Sequence, residues 1–196
     1  MSIIYLASQN KHKVHEIQSI LGKSWDIRAC DELAPGISWD ETGHTFRENA
    51  LIKAQAVLAK GAHTVIADDS GLEVVALKGA PGIYSARYAG PNANDEDNNL
   101  KLLKEINHLP EEELKARFVC VICFLQEGAD PIFFEGHCDG HLVKKTSGLK
   151  GFGYDPLFIP SAFHETFAEL GDDVKNQISH RARALIKFEE HLRTEY

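Results

Sequence analysis

Cysteine is scarce, with four in 196 residues; methionine occurs once, and aromatic side chains make up only 9% of the chain. Cys30, Cys120, Cys123 and Cys138 are scattered and too few for a disulfide scaffold at this length. They read as reduced thiols of a cytosolic protein. No apolar run approaches the ~20 residues that a membrane span needs. The opening Met1-Ser2-Ile3-Ile4-Tyr5-Leu6-Ala7 lacks a basic stretch and is too short for a signal peptide. Positive charge is in deficit: 21 Lys plus Arg face 29 Asp plus Glu, a formal charge of −8 with histidine neutral. That balance argues against a nucleic-acid coat or a membrane-surface binder. It leaves anionic ligands open, because a local basic cleft can sit on an acidic protein. Repeats, low-complexity tracts and long linkers are missing too. What is present is an ordinary globular composition, 43% apolar, which suits one domain over residues 1–196.

Apolar periodicity predicts an α/β fold with a mixed sheet. Ile3 to Ala7 reads as a buried strand, and Val14, Ile17 and Leu21 as a helix face ended by Gly22. Asp26 to Cys30 suits a strand, and residues 31–44 a loop. Phe46, Ala50, Ala54 and Val57 mark a second helix. Val65 to Ala67 is a short strand that runs into Asp68-Asp69-Ser70-Gly71, and Leu72 to Leu77 suits another, before a turn-rich stretch from Gly79 to Asn94. A third helix covers Asp95 to Asn107, capped by Asn94, with Leu100, Leu103 and Ile106 inward. Arg117 to Leu125 is a central strand with Ile132 to His141 as its partner. Gly148 to Asp155 is a glycine-rich loop. A helix from Ser179 to Leu192 places Ile178, Ala182, Leu185 and Leu192 on one face.

Two polar clusters follow short buried strands. Ser8-Gln9-Asn10-Lys11-His12-Lys13 stands at a helix start, where free N–H groups and lysines suit phosphate. It has no Walker-type glycine pattern, and taken alone it reads better as an ordinary capped helix with solvated lysines. Asp68-Asp69-Ser70-Gly71 places adjacent carboxylates after an apolar strand. They fit a hard cation such as Mg²⁺, or else an Asp-Ser-Gly turn bonding its own backbone. Glu41, then Asn49 and Lys53 four residues apart on one helix face, add a carboxylate and a lysine, or form a solvated face. The loop Gly151-Phe152-Gly153-Tyr154-Asp155 offers close backbone approach and aromatics that suit a base, though turns use the same residues. Lys175, Ser179, His180 and Arg181 flank the start of the last helix, where cations oppose the dipole and need a reason. Cys120-x-x-Cys123 and His137-x-x-x-His141 lie in strand patterns and are not metal motifs.

Taken together, these segments resemble the Ham1/RdgB-type non-canonical purine nucleoside triphosphate pyrophosphatases. The match runs through Ser8-Gln9-Asn10-x-x-Lys13, Glu41-Thr42-Gly43, Glu48-Asn49-Ala50, Lys53-Ala54, and Ala67-Asp68-Asp69-Ser70-Gly71-Leu72. It continues through the stretch from Gly79 to Tyr88, Gly151 to Pro156, Ala168-Glu169-Leu170, Lys175 and Ser179-His180-Arg181, in the family's order over nearly the whole chain. Gln9 stands where the family usually has glycine, which predicts a slightly altered loop backbone.

The resemblance implies an elongated two-lobed α/β fold, with a central mixed twisted sheet flanked by helices and a cleft between lobes. It implies a cytoplasmic homodimer that converts ITP, dITP and XTP, with Mg²⁺, into monophosphate and pyrophosphate. Roles follow on the same footing. Ser8, Asn10 and Lys13 bind phosphates, and Gln9, Lys11, His12 and Ser70 also bind substrate. Glu41 and Asp69 hold the metal, and Asp69 is the base, with Asp68 next in line. Lys53 and Lys175 neutralise triphosphate charge. Phe152 stacks on the purine, while Gly153, Tyr154, Asp155, His180 and Arg181 address the base, Arg181 donating to its C6 oxygen. A nucleotide sensor without turnover and a Maf-like phosphohydrolase are the rival readings. Together, Asp69, Glu41 and Lys53 argue against the sensor.

Overall fold

The computed structural model describes residues 3–22 and 25–195. It opens with β1 (Ile4–Ala7), α1 (Lys11–Leu21), β2 (Ile27–Ala29), the short α2 (Cys30–Leu33) and α3 (Phe46–Leu58). There follow β3 (Thr64–Val74), α4 (Asp95–Ile106), β4 (Lys115–Gln126), β5 (Ile132–Leu142) and β6 (Phe158–Pro160). The chain closes with α5 (Phe167–Leu170), α6 (Asp172–Ile178) and α7 (His180–Glu195). The strands form one six-stranded sheet in the order β2-β1-β3-β4-β5-β6. β1 pairs parallel with both β2 and β3, while β5 and β6 are antiparallel, so the sheet is mixed as the sequence predicts.

The chain divides into two compact units. One comprises residues 1–69, 120–136 and 181–196, and the other residues 70–119 and 137–180. The first has a core of Leu6, Ile17, Ile66, Ile122, Phe124, Leu185 and Phe188. The second is built on Leu72, Leu102, Ile106, Phe118, Leu157, Phe158 and Phe167. Burying such a side chain contributes roughly 1.5–3 kcal/mol of transfer free energy. Phe118 meets Phe158 edge-on at a centroid distance of 4.8 Å.

Four expectations need correcting. The expected strands at Val65 to Ala67 and Leu72 to Leu77 are one continuous strand, β3, which ends at Val74; Val75–Leu77 is a 3₁₀ turn. The expected loop over residues 31–44 begins as the helical turn α2. In α4 the inward pair is Leu102 and Ile106, spaced i,i+4, whereas Leu100 is 59% exposed. Ile178 belongs to α6 and packs in the second unit's core, while Ala182, Leu185 and Leu192 are buried on α7. All four cysteines are buried, and none forms a disulfide among the described residues.

Candidate active site

Asp68 and Asp69 stand in mid-strand, not at a strand end. Successive side chains of a strand point to opposite faces, so the two carboxylates meet different partners. Asp68 is 1% exposed. Its Oδ1 accepts from Lys13 Nζ at 2.6 Å, and its Oδ2 from Arg181 Nε at 2.9 Å and Cys120 Sγ at 3.1 Å. The Arg181 guanidinium also donates through Nη1 to Glu16. Burial by itself pushes the Asp68 carboxyl up, but Arg181 and Lys13 outweigh it and hold the group well below the usual carboxylate range.

Asp69 turns the other way. Its Oδ1 accepts from Lys53 Nζ at 2.6 Å, and the same ammonium donates to Glu41 Oε1 at 2.9 Å. Asp69 Oδ2 is buried and has no hydrogen-bond partner among the described residues. Burial raises the Asp69 carboxyl above its ordinary value, and Lys53 draws it only part of the way back. Lys53 is itself buried; desolvation lowers its pKa, but Asp69 and Glu41 prevail and raise it.

Two turns of α3 fix this group. Thr45 caps the helix by accepting from Glu48 N, Glu48 accepts from His44 N at 2.6 Å, and Asn49 Oδ1 accepts from Gly43 N at 2.8 Å. The segment that carries Glu41 is thus tied to the helix that carries Lys53. A Cβ on Gly43 would stand 2.7 Å from both Asn49 Oδ1 and Glu48 Cβ. Gly43→Ala is expected to cost about 1–3 kcal/mol, the scale of overpacking, in a urea melt. An unchanged midpoint and slope would show that the segment gives way freely.

The loop after β1 is conventional in its backbone. Asn10 caps α1, its Oδ1 accepting from His12 N at 2.9 Å and Lys13 N at 3.2 Å. Ser8 Oγ accepts from Asn10 N at 3.2 Å. Among the described residues only Lys78 and Ala162 combine a side chain with a positive φ, so Gln9 needs no glycine-like backbone. Its amide donates to Ile37 O. Lys11 and His12 are exposed at the first turn, and Ser70 is half-buried in β3 beside Asp69.

A second group forms within the other unit. Lys175 Nζ donates to Asp155 Oδ2 at 2.6 Å, with both side chains 2% exposed, and lies 4.3 Å from the Phe152 ring centroid. Asp155 Oδ2 also accepts from Phe152 N at 2.9 Å. His180 stacks on Phe118 with centroids 4.7 Å apart. Gly153 is held by α4: its N–H donates to Asp95 Oδ2 at 2.7 Å, and its C=O accepts from Asn99 Nδ2 at 2.8 Å.

Residues 4–191 match the model of the Ham1 family. The chain belongs to the Ham1 family. A curated relative from Oceanobacillus iheyensis, a dITP/XTP pyrophosphatase, is 45% identical over 199 residues, covering 99% of this chain and 100% of that protein. The dITP/XTP pyrophosphatase of Bacillus subtilis is 44% identical over 183 residues, covering 93% and 92%. The solved structure of the Staphylococcus aureus Ham1 protein superposes with a TM-score of 0.89 at 40% identity over the whole of both chains.

In this Ham1 chain two residues expected to address a base are otherwise engaged. Arg181 is 1% exposed and pairs with Asp68 and Glu16 of the first unit. Tyr154 is 4% exposed, and its hydroxyl donates to Ser85 O at 2.8 Å, as a core tyrosine does. Five residues escaped the sequence reading of this site: Glu16, Cys120, Asn49 in its link to Gly43, Asp95 and Asn99. Glu16 alone left a signal. Lys13, Glu16, Ile17, Ile20 and Leu21 follow the i, i+3, i+4, i+7, i+8 stripe, so an acid falls on the buried face of α1 and requires a cation.

Proposed function

We propose that this Ham1-family protein hydrolyses non-canonical purine nucleoside triphosphates, ITP, dITP and XTP, to the monophosphate and pyrophosphate. The names of the two curated relatives support the substrate class. The observation that carries the chemistry is the Asp69–Lys53–Glu41 group, in which Asp69 Oδ2 is buried with no hydrogen-bond partner among the described residues.

That group also fits Mg²⁺. Among the described residues no three or more His, Cys, Asp or Glu side chains gather as a metal cage. Two hard carboxylates with an open oxygen are nevertheless what Mg²⁺ takes when substrate phosphates complete its shell. Glu41 and Asp69 are the residues that would hold it, and when bound it polarises phosphate oxygens as a Lewis acid. Asp69 Oδ2 has the lone pair to accept a proton from the attacking water as oxygen bonds to the α-phosphorus. Pyrophosphate is the leaving group. An ammonium has three protons, and Asp68 engages Lys13 through one, so Lys13 with Ser8, Gln9, Asn10, Lys11, His12 and Ser70 is assigned to the phosphates. Lys53 offsets charge that builds on the departing oxygens. Phe152, Gly153, Asp155 and His180 are assigned to the purine, and Lys175, expected on the triphosphate, is reassigned to the same group because its ammonium is buried against Asp155 and the Phe152 ring. Arg181 is assigned to holding Asp68, and Tyr154 to the loop's packing.

Hydrolysis of ITP in ¹⁸O-water with Mg²⁺ tests the reaction. Label in the monophosphate and unlabelled pyrophosphate are expected, with ATP and pyrimidine triphosphates turned over far more slowly. Orthophosphate with inosine diphosphate would reject attack at the α-phosphorus. We also propose a homodimer, tested by light scattering, in which a mass of one chain at micromolar concentration counts against it. The cytoplasm, where nucleoside triphosphates are held, is the proposed location. Among the described residues no helix is long and apolar enough to cross a membrane.

A further inference from the structure

We propose that Asp95 and Asn99 of α4 are positioning residues that hold the Phe152 loop in the shape that receives the purine. The proposal rests on the assignment of that loop to the base. Asp95 and Asn99 are four apart, so both project from the same side of the first turns of α4. They grip one peptide unit on each side of a single residue: Asp95 Oδ2 takes the Gly153 N–H at 2.7 Å, and Asn99 Nδ2 gives to the Gly153 carbonyl at 2.8 Å. A carbonyl only accepts, so the Asn99 amide has one orientation here, with Nδ2 toward Gly153.

That orientation leaves Asn99 Oδ1 buried without a partner among the described residues, in a residue that is 7% exposed. An unpaired buried oxygen is unfavourable, so nothing local would choose this arrangement except the bond to Gly153. Gly153 has φ +61, a conformation costly for other residues, which two side chains must maintain against the flexibility of glycine. The loop is pinned further at Phe152 N by Asp155 and at the Tyr154 hydroxyl by Ser85 O. Between those pins lies the Phe152 ring, set over the Lys175 ammonium. Without the clamp, Gly153 is free to turn, and the ring loses its fixed plane while Asp155 and Lys175 stay paired.

The test compares Asn99→Ala and the exposed Asp95→Ala with the parent, by hydrogen exchange of residues 148–158 and by steady-state kinetics with ITP and ATP. Both variants are expected to exchange the loop amides faster and to raise KM for ITP about tenfold, the scale of one lost hydrogen bond. The kcat should stay within about threefold, because the loss falls on binding shared by ground and transition states. The ratio of kcat/KM for ITP over ATP should narrow. Asp95→Asn keeps an acceptor for Gly153 N and should restore the loop's protection. A merely structural role would instead lower the melting temperature and kcat with KM unchanged, and that result overturns the proposal. So does loop exchange that matches the parent in both alanine variants. If Asn99→Ala fails to fold, Asp95→Ala decides on its own. If the parent does not turn over ITP, the assigned function fails, and the exchange of the loop still decides the clamp.

Discussion

Asp69→Asn is expected to fold as the parent does and to lose nearly all turnover of ITP. Loss of a general base typically costs ~10²–10⁴ in rate, and weakened metal binding adds to it. The substitution is close to isosteric, and Lys53 keeps Glu41 as a partner at 2.9 Å, so the buried ammonium is not stranded. The measurement is kcat at saturating Mg²⁺, beside a thermal melt to establish folding. A folded variant with kcat near the parent's would move the base elsewhere. Glu41 would then be the next candidate. Asp68, next in line on sequence grounds, is a poor one. Three donors occupy its oxygens and hold it well below the usual range, so it takes up a proton reluctantly.

Arg181→Ala should damage stability first and specificity only through it. The guanidinium is fully buried between Asp68 and Glu16, and its removal leaves two carboxylates without their main counter-charge. Breaking a buried pair in this way typically costs about 3–5 kcal/mol. Urea denaturation of the ligand-free protein reads that loss directly. Arg181→Lys should recover little of it, because an ammonium cannot span both carboxylates as the planar fork does. Glu16→Gln removes only the outer partner and should cost less than Arg181→Ala. If Arg181→Ala melts like the parent yet narrows the preference for ITP over ATP, the residue reads the base after all, and the buried pairing is incidental.

Periodicity was a sound guide where the pattern reflects burial of one face. The stripes of α1 and α3 and the long apolar run of β4 fall where the sequence puts them. It failed where polar residues occupy a buried strand. Asp68-Asp69-Ser70-Gly71 reads as a turn because its composition is that of a turn, and only partners distant in sequence make a strand tolerable there. Lys13, Arg181 and Cys120 lie 55, 113 and 52 residues away from Asp68, and no local signal announces them. Arg181 illustrates the same limit. Its place beside His180 suggests a shared task, and nothing in that neighbourhood announces its ion pairs with Asp68 and Glu16. Asp95 and Asn99 were legible as helix residues and silent as loop anchors, since their partner Gly153 is 58 and 54 residues on. For the same reason Leu100 was misplaced: α4 buries Leu102 with Ile106, and three leucines in four residues do not reveal which one faces in.

The alternation of Asp68 and Asp69 along β3 makes insertions and deletions in this strand unusually consequential. Removing one residue between Thr64 and Ala67 turns the following segment over, exchanging the faces to which the two acids point. Asp69 would then take the slot that faces Arg181 and Lys13, Ser70 would take the slot that faces Lys53, and Asp68 would move to the Ala67 slot, one pleat away from Lys53. Composition, hydrophobicity and net charge would barely change, so such a length variant would look harmless in sequence while both acids lost their environments. Removing two residues preserves the parity of the strand and shifts the pair by one pleat. Natural length variation in β3 should therefore come in even steps, if at all, and the odd steps should be confined to the loops at its ends.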